Sequence, residues 1–140
     1  MIAEEMRYEV ELPAAPAAVA TARHAASQFG DFHGADSERI GLAVSEAVTN
    51  VVLHAYPGEA IGPVQVTGWA DDDAVHIAVR DFGVGLTPDP GSRGGWGLTV
   101  IGSVADHVVI SSTEFGVEIV MRFDRRRTVT VSAEPDEPGM

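Results

Sequence analysis

Three observations predict an α/β two-layer sandwich, a mixed, mostly antiparallel sheet of about five strands with three helices on one face. Stretches of period-two alternation mark strands near the start of the chain, around Val64 to Arg80 and around Val108 to Phe123. Two segments of helical period lie between the first strand and the second. The resulting order is strand, helix, helix, two strands, glycine-rich loop, helix, two strands. A doubly wound sheet would need strands and helices in regular alternation, which this order lacks.

The first strand is expected from Met6 to Leu12, where Met6, Tyr8, Val10 and Leu12 alternate with Arg7, Glu9 and Glu11. Pro13 breaks it, and Pro16 suits the first turn of a helix running from Ala17 to about Phe29, with Val19, Ala22, Ala26 and Phe29 on one stripe and Arg23 off it. Gly30 to Gly34 is expected to end that helix. Asp36 or Ser37 can cap the next one, which should run to Ala55 or Tyr56 and stop before Pro57-Gly58. Val64 to Ala70 and Ala74 to Arg80 form a hairpin around Asp71-Asp72-Asp73. A loop with two prolines follows from Leu86 to Gly95, then a short helix from Leu98 to Ala105, and a last strand pair, Val108 to Ser112 and Val117 to Phe123.

With 140 residues and 45% hydrophobic content, one domain with one core is expected, spanning residues 1–124. Residues 125–140, rich in Pro and acidic side chains, are expected to be a largely disordered tail, with Arg125-Arg126-Arg127 as its solvated start. No apolar run is long enough for a membrane span, the amino terminus is unlike a signal peptide, and cysteine is absent, so the expected location is cytoplasmic. A net charge of −12 argues against nucleic acid or an anionic membrane as partner. An anionic ligand would have to be held locally, by backbone N–H groups, a metal ion or a few placed cations.

Chemistry-bearing residues accumulate in three places. Glu46, Asn50 and His54 recur every four residues in the second helix, so they share one strip, opposite Ile40, Val44, Ala47, Val48, Val51 and Ala55. A carboxylate and an amide on such a strip can hold a cation or activate a hydroxyl, although an ordinary solvated face carries the same pattern. Asp81-Phe82-Gly83-Val84-Gly85 follows a strand, and Gly95-Trp96-Gly97-Leu98 opens a helix. Glycines there let the backbone approach a ligand, and a helix N-terminus attracts an anion; a plain flexible turn explains either cluster alone.

Together and in this order, the helix with Glu46 and Asn50, the Asp81-Phe82-Gly83-Val84-Gly85 segment and the Gly95-Trp96-Gly97-Leu98 segment resemble the N, G1 and G2 boxes of Bergerat-fold ATPases, the histidine-kinase-like superfamily. Within it the run Ser45 to Tyr56 and the layout to Phe123 look most like anti-sigma-factor serine/threonine kinases of the RsbW/SpoIIAB type. The resemblance implies ATP and Mg²⁺ as cofactors, with Asn50 as the metal's side-chain ligand and Glu46 as general base. It implies that Asp81 accepts from the adenine amino group, that Gly83 and Gly85 bring the lid backbone close to the nucleotide, and that Gly95 and Gly97, flanking Trp96 and followed by Leu98, contact the phosphates. Arg93 is the one cation of the lid, and His54 matches a position often held by histidine in the family, with packing or capping an equal reading. The implied function is phosphorylation of a Ser or Thr on an anti-anti-sigma protein of the STAS type, together with sequestration of a sigma factor, by a homodimer. Arg23 is a candidate partner contact, and an ordinary solvated arginine has the same signature.

Three departures from the family pattern motivate a second reading, a non-catalytic partner-binding module of the same fold. Trp96 stands where relatives have a small or basic residue, the lid from Leu86 to Gly94 is short, and Val117-Glu118 replaces a segment where relatives place Thr near the adenine. A histidine-kinase ATP domain is a poorer fit, because about five residues precede the first strand and a phospho-accepting helix pair would have to come in trans.

Overall fold

The computed structural model describes residues 6–58, 60–84 and 98–126. Its elements run β1 (Arg7–Pro13), α1 (Pro16–Phe32), α2 (Ser37–Asn50), a π-helical turn (Val51–Ala55), β2 (Pro63–Ala70), β3 (Ala74–Asp81), α3 (Leu98–Val104), β4 (His107–Thr113) and β5 (Gly116–Asp124). Most of the expected tail, residues 127–140, and the loop from Gly85 to Gly97 lie outside the described residues.

The five strands form one sheet in the order β1-β2-β3-β5-β4. The sheet, expected to be mixed and mostly antiparallel, is antiparallel at every pairing of the described strands. Two helices packed on each other separate β1 from β2, so the chain reverses an odd number of times between them. The crossover through α3 returns β4 parallel to β3, but β5 inserts between the two and opposes both. Register then aligns one apolar face: Val10 opposes Val66, Val66 opposes Val79, and Val79 opposes Ile119, all facing the helices.

Both long helices carry the apolar face their sequences predict. In α2 the buried residues are Ile40, Gly41, Ala43, Val44, Ala47 and Val48, continued by Val51 and Ala55 in the π turn. Asp36 caps α2, its Oδ1 accepting from the N–H groups of Glu38 at 3.0 Å and Arg39 at 3.2 Å, which satisfies two donors that a helix start leaves open. The helix α1 begins on Pro16, as expected, but passes through Gly30 and ends only at Phe32. Gly30 is buried there, and a Cβ on it would overlap Ile40 Cδ1. Its absence of a side chain therefore serves the approach of α2, and the chain turns later, at Gly34, whose φ of +81° suits glycine.

The basic run expected to be a solvated start of a tail is tied to the fold at Arg125, which is half-buried, and Arg126, which is exposed. Arg125 donates from Nε to the carbonyl of His33 at 2.7 Å and from Nη1 to the carbonyl of Asp71 at 2.6 Å. The N–H of Arg126 donates to the carbonyl of Gly34 at 2.7 Å. Carbonyls left over at the end of α1 and in the β2–β3 turn recruit the guanidinium, a tertiary demand no local pattern announces. Among the described residues no helix is long and apolar enough to cross a membrane.

Candidate functional site

Asn50, His54 and Asp81, three residues singled out in the sequence, come together where the carboxyl end of α2 meets the end of β3. Asp81 continues the series Val75, Ile77, Val79 by steps of two, and it opposes Val64 on β2, so its side chain falls on the helix-facing side of the sheet. It is only 5% exposed. On the facing element, Asn50 closes α2 and His54 lies in the π turn. Between these elements is a cavity of about 230 Å³. Asn50, His54 and Asp81 are the polar side chains among its described lining, and Ala47, Val79, Leu98, Val117 and other aliphatic groups make up the rest. An apolar slot with a few convergent polar groups is the usual form of a small-molecule site.

The carboxylate of Asp81 is held asymmetrically. Its Oδ1 accepts from the N–H of Gly83 at 3.0 Å and from the N–H of Val117 at 3.2 Å. Among the described residues Oδ2 accepts no hydrogen bond, and Asp81 lines the cavity. Burial pushes the carboxyl above its ordinary value, and the two backbone N–H bonds pull it partly back. Val117, one of the departures noted in the sequence, thus serves the site twice, through its N–H to Asp81 and through its side chain in the cavity wall. The preceding Gly116 has a φ of +136°, and a Cβ there would overlap the carbonyl oxygen of Asp81. Only glycine lets the β4–β5 turn sit against this strand end.

Gly83 lies against the end of the helix. A Cβ on it would overlap the carbonyl oxygen of Ala55, and that same oxygen accepts from the N–H of Val84 at 3.0 Å. In the described structure the bare backbone of Gly83 makes room for the end of the helix. Tyr56, to which the sequence reading attached no role, completes this seam: its hydroxyl donates to the carbonyl of Pro63 at 2.5 Å and accepts from the N–H of Phe82 at 3.0 Å. The one available signal was its place directly after the helix, where a side chain can reach back over the loop that follows.

The strip of the second helix is only partly kept. Up to Asn50 the winding is α-helical and Glu46 lies one turn before Asn50, half-buried and outside the cavity lining. Beyond Asn50 the turn closes from i to i+5, so four steps fall short of a full turn instead of overshooting it, and His54 swings relative to the strip while still lining the cavity. Leu98 starts α3 at the opposite wall. Arg23 is away from the cavity, exposed on α1 and packed over Gly41 of α2. Gly85, Arg93, Gly95, Trp96 and Gly97 lie outside the described residues.

Residues 12–123 match the family model described as a histidine kinase-like ATPase domain. Among curated proteins, the chain is 34% identical over 85 residues to an anti-sigma F factor of Geobacillus stearothermophilus, a match covering 52% of this chain and 58% of that protein. It is 34% identical over 93 residues to an anti-sigma F factor of Bacillus thuringiensis (strain Al Hakam), covering 57% and 64% respectively. The chain thus spans about three-fifths of the length of these relatives. Among solved structures, the RsbU and RsbW domains of a Mycobacterium tuberculosis protein align with a TM-score of 0.67 at 24% identity, over 86% of this chain and 33% of that one. A blue-light activated histidine kinase of Erythrobacter litoralis aligns with a TM-score of 0.54 at 24% identity, over 62% and 30%. Both likenesses are of fold.

Proposed function

Because the chain belongs to the histidine kinase-like ATPase domain family, we propose that its cavity binds Mg-ATP and that it transfers the γ-phosphoryl group to a Ser or Thr of a STAS-type anti-anti-sigma protein. The observation that carries this reading is Asp81: one carboxylate oxygen is committed to two backbone N–H groups, and the other is left for a donor inside an apolar slot. The exocyclic amino group of adenine is such a donor, and the aliphatic walls suit the faces of a purine. The anti-sigma F factors resembled over part of their length support a sigma factor as the partner to sequester; the anti-anti-sigma protein as phosphoacceptor and a homodimer as the working assembly are parts of the proposal.

Asn50, which lines the same cavity as Asp81, would supply its amide oxygen to a divalent cation. No group of three or more His, Asp or Glu among the described residues could hold a metal unaided. Mg²⁺ fits such a sparse protein contribution, since it keeps water and takes phosphate oxygens. When bound, it would neutralise charge on the phosphates. We assign Glu46, one turn before Asn50 and outside the described cavity lining, to the phosphate end of the ligand and not its base. There it would take the proton of the incoming hydroxyl as that oxygen bonds to the γ-phosphorus and the bond to the bridging oxygen of ADP breaks. Gly83, Gly85, Arg93, Gly95, Trp96, Gly97 and Leu98 complete the proposed contacts, and Arg23, remote from the cavity, is assigned to partner binding.

Calorimetry with Mg-ATP and phosphotransfer to a cognate anti-anti-sigma protein test the proposal. Asn50→Ala should abolish Mg-ATP binding, whereas Glu46→Ala should retain it and lose about 10²–10⁴-fold in transfer. Equal loss of nucleotide in both variants would refute the division of roles. Weak or absent nucleotide binding with no transfer by the unaltered protein would instead favour the non-catalytic module.

A further inference from the structure

The three N–H groups that follow Asp81 are each anchored, and two of the anchors belong to the end of the helix that carries Asn50. Phe82 N–H donates to Tyr56 Oη at 3.0 Å, Gly83 N–H to Asp81 Oδ1 at 3.0 Å, and Val84 N–H to the carbonyl of Ala55 at 3.0 Å. Tyr56 is itself pinned. Its hydroxyl proton goes to Pro63 O at the start of β2, and its ring lies so close over Gly62 that a Cβ there would overlap it. A hydroxyl that donates to one element and accepts from another is a fixed joint, because turning it toward either partner breaks the other bond.

From this geometry we infer that Tyr56 is a positioning residue for base recognition: its hydroxyl fixes the peptide after Asp81 and so aims Oδ2 into the cavity relative to Asn50. The inference rests on the nucleotide reading above. Without the hydroxyl, the N–H of Phe82 has no partner and the peptide that it belongs to is freed. The Asp81 backbone then gains freedom on its carboxyl side, and the carboxylate, held through Gly83 N–H in the same turn, loses its aim. What suffers is the discrimination between a base that presents an amino donor at this position and one that presents a carbonyl, which a carboxylate repels. The phosphate end of the ligand, at Asn50, is a turn and more away along the helix and keeps its contacts.

Tyr56→Phe tests this while preserving the ring that packs over Gly62. Affinities of the full chain for Mg-ATP and Mg-GTP should show the preference for ATP reduced about tenfold, the scale of one hydrogen bond to a charged group. A structural defect would weaken both nucleotides alike and leave the ratio unchanged, and an unchanged ratio overturns the inference. Amide exchange in the protein without nucleotide supplies the second measurement. Exchange at Phe82 should accelerate at least tenfold in the variant while amides of β5 from Ile119 to Phe123 stay as they were; unaltered exchange at Phe82 overturns the joint. If the unaltered protein binds neither nucleotide, the nucleotide reading and the recognition role fall together, and exchange at Phe82 still decides whether Tyr56 fixes the turn.

Discussion

Asp81 shows a residue whose folded environment opposes its charge. Burial raises its carboxyl above the ordinary value of 3.8, in spite of two N–H bonds to Oδ1. A group whose pKa is raised on folding adds most stability below the unfolded value, and that contribution is lost as pH rises through the folded value. At neutral pH the ionised carboxylate is therefore a cost to the fold. Asp81→Asn keeps an oxygen for both N–H bonds and removes the buried charge. The variant should melt at the same temperature as the unaltered protein or higher near pH 7, and the difference should shrink on acidification toward about pH 4. A variant less stable at pH 7 would contradict this. Nucleotide affinity should move the other way, falling in the unaltered protein as Asp81 is protonated, since a protonated carboxyl is a poorer acceptor for an amino group.

Asp81 was readable as a candidate from its place at the end of a strand pattern, and its face follows from period-two counting. Tyr56 was not, because its two partners, Pro63 and Phe82, are 7 and 26 residues away and meet only after β2 and β3 have paired.

At the scale of elements, the spacing of Ile40, Val44, Ala47, Val48, Val51 and Ala55 predicted the buried face of the second helix, and all six are buried. Hydrophobic period reports which side faces a core regardless of what the core contains. It does not report how close a neighbour comes. Gly30 was expected to end α1, as an isolated glycine after a helical run suggests, yet α1 runs on for two more residues because Gly30 is where Ile40 docks. Gly30→Ala should then cost about 1–3 kcal/mol through overpacking, even though alanine is the better helix former. Ile40→Val, which removes the methyl group in the way, should recover part of that loss in the double variant. Denaturant midpoints of the two single variants and the double variant measure the coupling, and simple additivity would show that the two sites do not touch. The π turn was equally hidden. Val51 to Ala55 reads as ordinary helix, and its widening is set by the surroundings into which the helix end must fit, with Ala55 O on Val84 N–H and Tyr56 on Phe82.

Across the whole molecule, ends and turns are tied by Arg125. Its guanidinium joins the carbonyl at the end of α1 to the carbonyl in the β2–β3 turn, while its own N–H donates to the carbonyl of Asp73 at 2.9 Å. Arg125→Ala should lower stability by about 2 kcal/mol, because charge-assisted bonds to two carbonyls are lost together. Arg125→Lys should recover only part of this, since one ammonium cannot reproduce the planar fork. Urea unfolding with an unchanged slope and a lowered midpoint is the expected record. A shift within the ±0.5 kcal/mol usual for surface positions would mean that the joint adds nothing.

The strand and helix order and the apolar faces were legible from periodicity, because these depend on local geometry and on which residues avoid water, while the grouping of Asn50 with Asp81 came from the resemblance of their motifs to a known family. The antiparallel pairing throughout the sheet depended on where β5 inserts. The roles of Gly30, Gly83 and Gly116 depended on which backbone or side chain arrives beside them, and those of Tyr56 and Arg125 on carbonyls and N–H groups left unpaired by distant elements. Such demands arise only when separate elements come into contact, so the tertiary structure alone could assign the residues that meet them.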